Sequence, residues 1–215
     1  MVEHDLAKVG VAGSSPVSRS KATMLRSTLL LLLASAALAA TAASAGPMRR
    51  APATRYGPAL VPGDKVPAVV GTTLDGKETA VAYADAKLTV VNFWATWCVP
   101  CRQEMPALEK IRANHEREGL QLIGALLFDE STPEQVASAV SESGARYRIV
   151  AVPAGTTDAW GGLTLVPTTF LVDGEGKLVR KFVGTDEKGI EALAKDVANF
   201  LAGKPLGNPY IPPSQ

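Results

Sequence analysis

Cys98 and Cys101 are the only cysteines in a chain of 215 residues, and they stand three positions apart. Thiols at that spacing can exchange a disulfide with another thiol, hold a soft metal ion, or staple the fold. The staple is the weakest of these, because so short a loop removes little entropy from the unfolded chain. A four-coordinate structural zinc site needs two further ligands. The histidines are His4, in a segment expected to be removed, and His115, about four turns along the helix that the pair begins. At a strand-to-helix junction the Cys-x-x-Cys spacing therefore reads as a redox dithiol, with no metal site assigned. One non-enzymatic alternative stays open, since copper(I) favours sulfur ligands and two thiolates could bind it. Met105 is the only methionine near the pair.

The residues on either side dictate how the thiols are held. Val90 to Trp94 is β-branched and aromatic, which suits a buried strand. Pro100 fits the first helical turn, where its missing N–H would be unpaired anyway. Both cysteines thus sit at the start of a helix, whose free N–H groups and dipole favour a thiolate. Along that helix Cys101, Glu104, Met105, Leu108, Ile111, Arg112 and His115 recur at spacings of three and four, which is one face. Leu108 and Ile111 must meet the sheet, so Glu104 is carried inward with them. A carboxyl there should be partly desolvated, its pKa raised, and able to exchange a proton with Cys101. The alternative is a surface glutamate paired with a basic neighbour. His115, at the far end of the stripe, reads as a partly packed surface residue.

The run Asn92-Phe93-Trp94-Ala95-Thr96-Trp97-Cys98-Val99-Pro100-Cys101-Arg102-Gln103-Glu104-Met105-Pro106 resembles the thioredoxin-like proteins of the TlpA and ResA type, which are exported bacterial thiol-disulfide oxidoreductases. The likeness extends over roughly Gly63 to Gly203 and is supported by Val166-Pro167-Thr168-Thr169-Phe170-Leu171-Val172-Asp173. It implies a thioredoxin fold, with the Cys98–Cys101 disulfide as the redox group and no separate cofactor. Cys98 would be the exposed attacking thiol and Cys101 the resolving thiol that breaks the mixed disulfide. Trp97 would cover the approach. The resemblance further implies a cis Val166–Pro167 bond facing the pair, with the Val166 backbone offered to a client segment as an added strand. Leu165 stands where relatives often carry a small residue, which suggests a narrower groove. Asn92 holds the position at which thioredoxins proper have a buried, titratable Asp, so Glu104 is the only evident acid nearby.

Other elements follow in order. Leu29 to Ala45 is uncharged, follows Arg19, Lys21 and Arg26, and ends in Ala43-Ser44-Ala45, so residues 1–45 read as a signal peptide. Met24 would start a leader of ordinary length, making 1–23 an upstream extension. An uncleaved anchor is the alternative, although the run is shorter than the roughly 20 apolar residues of a spanning helix. Residues 46–62, rich in Pro, Ala and Arg, read as a linker; Arg49, Arg50 and Arg55 could touch anionic lipid, but solvation suits them better. Without residues 1–45 the chain keeps 18 Lys/Arg against 19 Asp/Glu, and no basic face for nucleic acid is implied.

Residues 63–203 read as one domain and 204–215, with four prolines, as a tail. A hairpin over 68–73 and 79–81 turns at Asp75-Gly76. Strands follow at 88–94, 120–128 and 148–152. Thr132-Pro133-Glu134-Gln135 caps a helix that Gly144 stops. Trp160 reads as core cover, 168–172 and 178–183 as a second hairpin, and Ile190 to Leu201 as an amphipathic helix. This is an α/β chain: a mixed central sheet with helices on both faces and an N-terminal β-hairpin.

Together with export, the resemblance implies a periplasmic, monomeric reductase that keeps the cysteines of exported clients reduced, such as apocytochrome c thiols before haem attachment, and draws on a membrane electron donor. A disulfide oxidase is the near alternative. A thiol peroxidase is more remote, because its Pro- and Thr-containing cysteine loop is replaced here by Cys-x-x-Cys. Of another class is a copper(I)-binding or redox-inert client-binding module.

Overall fold

A computed structural model describes residues 59–127, 129–184 and 186–209. The leader over 1–45, the linker up to residue 58, Phe128, Thr185 and residues 210–215 lie outside the described residues.

The sheet is built outward from β3, Leu88–Trp94, all seven residues of which are buried. Alternation along it sends Leu88, Val90 and Trp94 into one apolar cluster and Val91 and Phe93 into another. A strand apolar on both sides must lie between two covered faces, and β3 sits between β4 (Leu120–Leu126) and β6 (Thr168–Asp173). The other strands are β1 (Val70–Thr73), β2 (Glu78–Ala80), β5 (Arg148–Ala151) and β7 (Leu178–Val183). Their order across the seven-stranded sheet is β2-β1-β5-β4-β3-β6-β7. The β3–β4 and β4–β5 pairs are parallel and all the others antiparallel, including β1 with β2, so the sheet is mixed.

The helices cover both faces, but unequally. The connections β3–α1–β4 and β4–α2–β5 both step the same way across the sheet. Right-handed crossovers then put α1 (Val99–His115) and α2 (Pro133–Ser143) on the same face. Leu193 and Val197 of α4 (Glu187–Leu201) join them in one cluster with Leu108 and Val136. Among the described residues the second face has the four-residue α3, Thr156–Ala159, the single turn Tyr83–Asp85 and irregular chain. Trp160, fully buried at the end of α3, closes that face by edge-on contacts with Phe93 and Phe170, centroids 4.9 Å away in each case.

Boundaries differ from the sequence reading by one or two residues at several strand ends: β1 begins at Val70 rather than 68, β2 spans Glu78–Ala80 rather than 79–81, β5 ends at Ala151 rather than 152 and β6 at Asp173 rather than 172. Strand β4 runs Leu120–Leu126 where the sequence reading extends to 128; Leu127 N still donates to Trp94 O at 2.9 Å, and Phe128 lies outside the described residues. At the other end, the beginning of the expected tail is bound. Buried Asp196 pairs with Arg180 and accepts from Gly207 N at 2.9 Å, while Arg180 Nη2 donates to Gly207 O at 2.8 Å. A half-paired buried carboxylate would be costly, and the backbone of residue 207 completes its coordination. Among the described residues no helix is long and apolar enough to cross a membrane.

Candidate active site

Strand β3 ends at Trp94, and four residues later Cys98 caps α1 with extended backbone angles, φ −82° and ψ 100°. Cys101 lies one turn inside the helix, and the two form a disulfide with Cα atoms 5.3 Å apart. The Cys101 N–H points at Cys98 Sγ, 3.2 Å away, so a free amide of the first turn is aimed at that sulfur. In the reduced protein the same amide favours a thiolate on Cys98.

The two sulfurs are less unequal in depth than the sequence suggests. Cys98 was expected to be exposed, yet in the disulfide state it is 4% accessible, against 0% for Cys101. The reason is twofold: a capping side chain folds back over the first turn, and the distant Val166 loop comes over it, with Val166 O 3.7 Å from Sγ. The exposed groups are its neighbours Trp97, Val99 and Leu165, each more than half accessible. Leu165, expected to narrow a groove, stands out into solvent. The Val166–Pro167 bond is cis. The loop carrying it is held by Thr168 Oγ1, which donates to Leu165 O at 2.8 Å, and by Gly184 N, which donates to Pro167 O at 2.9 Å.

Glu104 is buried, so it is not a surface residue. Asn92 Nδ2, from the adjoining strand, donates to Glu104 Oε1 at 2.6 Å and lies 3.0 Å from Thr169 Oγ1 on β6. A carboxylate is thereby fixed one helical turn below Cys101, between α1 and the sheet. A cleft of about 400 Å³ between α1 and the start of α4 reaches it from solvent and is also lined by Asp186, Glu187 and Glu191. His115 is remote, its Nδ1 lying 3.1 Å from Glu118.

Asp129 was not singled out by its sequence. Its carboxylate accepts from the backbone N–H of Thr96 and, at 2.9 Å, from that of Ser131, while the Thr96 and Ser131 hydroxyls meet at 2.8 Å. This ties the turn before Cys98 to the β4–α2 connection. Burial works to raise the Asp129 pKa, but the hydrogen bonds from Ser131 and Thr96 outweigh it and the net shift is downward. A signal existed: Asp129-x-Ser131 is an Asx-turn pattern just past the C-terminal end of a parallel strand, the edge where open α/β sheets build sites.

A family model described as Redoxin matches residues 61–200. The chain belongs to the Redoxin family of thioredoxin-like proteins. The thiol:disulfide interchange protein HelX of Rhodobacter capsulatus is 32% identical over 149 residues, covering 68% of this chain and 80% of HelX. The thiol-disulfide oxidoreductase ResA of Bacillus thuringiensis is 32% identical over 126 residues, which are 59% of this chain and 72% of ResA. Among solved structures, a thiol:disulfide interchange protein of the thioredoxin family from Chlorobium tepidum aligns with a TM-score of 0.55 at 27% identity, covering 66% of this chain and 99% of that one. The Redoxin chain described here, with its Cys98–Cys101 pair, is a thiol-disulfide oxidoreductase.

Proposed function

We propose that this Redoxin protein works in the periplasm as a reductase of disulfides in exported client proteins, apocytochrome c thiols among them. The observation that carries the reading is Glu104, a buried carboxylate bonded to Asn92 and set one turn below Cys101. Reduced Cys98 attacks a client disulfide as the thiolate, forming a Cys98–client bond and expelling one client thiolate. Cys101 then passes its proton to Glu104 and attacks Cys98 Sγ. The second client sulfur leaves as a thiolate, and the Cys98–Cys101 disulfide is restored. A membrane dithiol donor would return two electrons to the pair, which serves as its own redox group without a cofactor.

Docking falls to groups around Cys98. Val166, beside the sulfur, offers its backbone to an extended client segment, Pro167 shapes that loop, and Trp97 covers the approach. Export is supported by the charge pattern of residues 1–45, with 46–62 as a spacer. The relatives' names support disulfide exchange with proteins in general.

One observation favours the opposite direction: the Cys101 amide on Cys98 Sγ stabilises the thiolate, and a stable reduced form makes an oxidant. Glu104→Gln tests the proton-transfer role on which the reading rests. With single-turnover kinetics on a chromogenic mixed disulfide, the variant should resolve more slowly by about 10²–10⁴-fold at most, with attack by Cys98 little changed. A shifted potential with both steps equally fast would show that Glu104 acts by static charge alone.

A further inference from the structure

Under α1 a set of buried polar groups gathers at one notch in the sheet. Asn92 on β3 is level with Gly124 on β4 in the parallel register, and its Nδ2 holds Glu104. Gly124 leaves room that its neighbours occupy: a Cβ there would lie 2.6 Å from Ile149 Cδ1, 3.0 Å from Tyr147 Cε2 and 3.2 Å from Trp94 Nε1. The Tyr147 hydroxyl, Trp94 Nε1 and Asn92 Oδ1 are all buried, with no hydrogen-bond partner among the described residues. Groups of this kind are rare in folded proteins, and each calls for a reason. Burial, then the charges of Glu104 and Glu109, push the Tyr147 hydroxyl up, so it keeps its proton and can donate it in a hydrogen bond.

We propose that Tyr147 is a positioning residue for Glu104, donating the hydrogen bond that holds the carboxylate ready to take the Cys101 proton. This rests on the reading of Glu104 given above. The bond is made as Glu104 shifts toward the hydroxyl when the disulfide opens, or through one shared water; in both cases the hydroxyl is the donor. During resolution the Cys101 proton moves to Glu104, the Cys101–Cys98 bond forms, and the Cys98–client bond breaks with the client leaving as a thiolate. Donation to the charged carboxylate favours that form, so the hydroxyl extends the step to lower pH.

Several groups act on this carboxylate or on Tyr147. Cys101 and Glu109 belong to α1, and Asp186, Glu187 and Glu191 line the cleft at the start of α4. Asp85, Arg112, Glu116, Arg146 and Arg148 line a second cavity together with Tyr147. From β3 and β6 come Asn92 and Thr169, which do not titrate. All of these remain in Tyr147→Phe, so a shift seen in that variant belongs to the hydroxyl.

The test is the pH profile of the resolution step, measured on the full chain for the natural protein, Tyr147→Phe, Glu104→Gln and the double variant. Tyr147→Phe keeps the ring and loses a buried unpartnered hydroxyl, so its thermal midpoint should be unchanged or higher. The acid limb should move up by about one to two pH units, the size of a hydrogen bond to a charged group. Attack by Cys98 should be unaffected, and in the Glu104→Gln background the second change should add nothing. An unmoved acid limb in Tyr147→Phe, with Glu104→Gln still slow, overturns the role of Tyr147 and leaves that of Glu104 intact. The same is true of a shift that persists in the double variant. If Glu104→Gln resolves at the natural rate, the Glu104 reading falls and this one with it.

Discussion

At the scale of single residues, position on α1 separates the two thiols more than depth does. Cys98 is the cap and receives an amide of the first turn, whereas Cys101 is inside the helix and fully buried. In the reduced protein iodoacetamide should therefore alkylate Cys98 faster by about tenfold or more, the effect of one unit of thiol pKa on the thiolate fraction. Mass spectrometry of the partly labelled chain reads this directly, and equal labelling would contradict the roles. The pair and the inward turn of Glu104 were legible because a spacing of three on a helix determines which face a side chain takes. The cover over Cys98 was not, since it depends on Val166, 68 residues away. Tyr147 was equally hidden: its relation to Glu104 passes through a notch at Gly124 that only strand register creates.

At the scale of elements, the turn that presents Cys98 is held from outside by Asp129. Its lowered pKa fixes the sign of a pH effect. A carboxyl whose folded pKa lies below its unfolded value stabilises the fold above the unfolded pKa, about 3.9, and loses that contribution as pH falls through the folded value. Asp129→Asn should then cost about 1–3 kcal/mol near neutral pH, the loss of hydrogen bonds to a charged acceptor. The gap between variant and natural protein should close below about pH 4. Urea unfolding at a series of pH values measures it, and a gap independent of pH would contradict the clasp. Elements with strong periodicity were readable, among them β3, the capped α2 with its Thr132–Gln135 box, and α4. Their distribution was not. Placing α1, α2 and α4 on one face follows from strand order, which local pattern does not encode.

At the scale of the whole molecule, the fold brings a dithiol, an exposed apolar rim and a buried acid to one end of a rigid mixed sheet. The second core, around Phe93, Trp160 and Phe170, fixes β3 and β6 from behind, so the Cys98 turn and the Val166–Pro167 loop are carried on one support. The overall α/β architecture was legible in the alternation of strand and helix patterns. The Arg180–Asp196 contact that binds residues 207 and 208 was not, because no local pattern pairs two side chains 16 positions apart on a strand and a helix. Direction of electron flow is a property of the molecule as a whole, set by every group that acts on either thiol. The central claim is a reductase, and its most direct test is the standard potential of the Cys98–Cys101 couple, obtained by equilibrating the protein with glutathione buffers. The reductase account expects a value near the roughly −270 mV of thioredoxin; one near the roughly −120 mV of a strong periplasmic oxidant would contradict it and make the protein an oxidase.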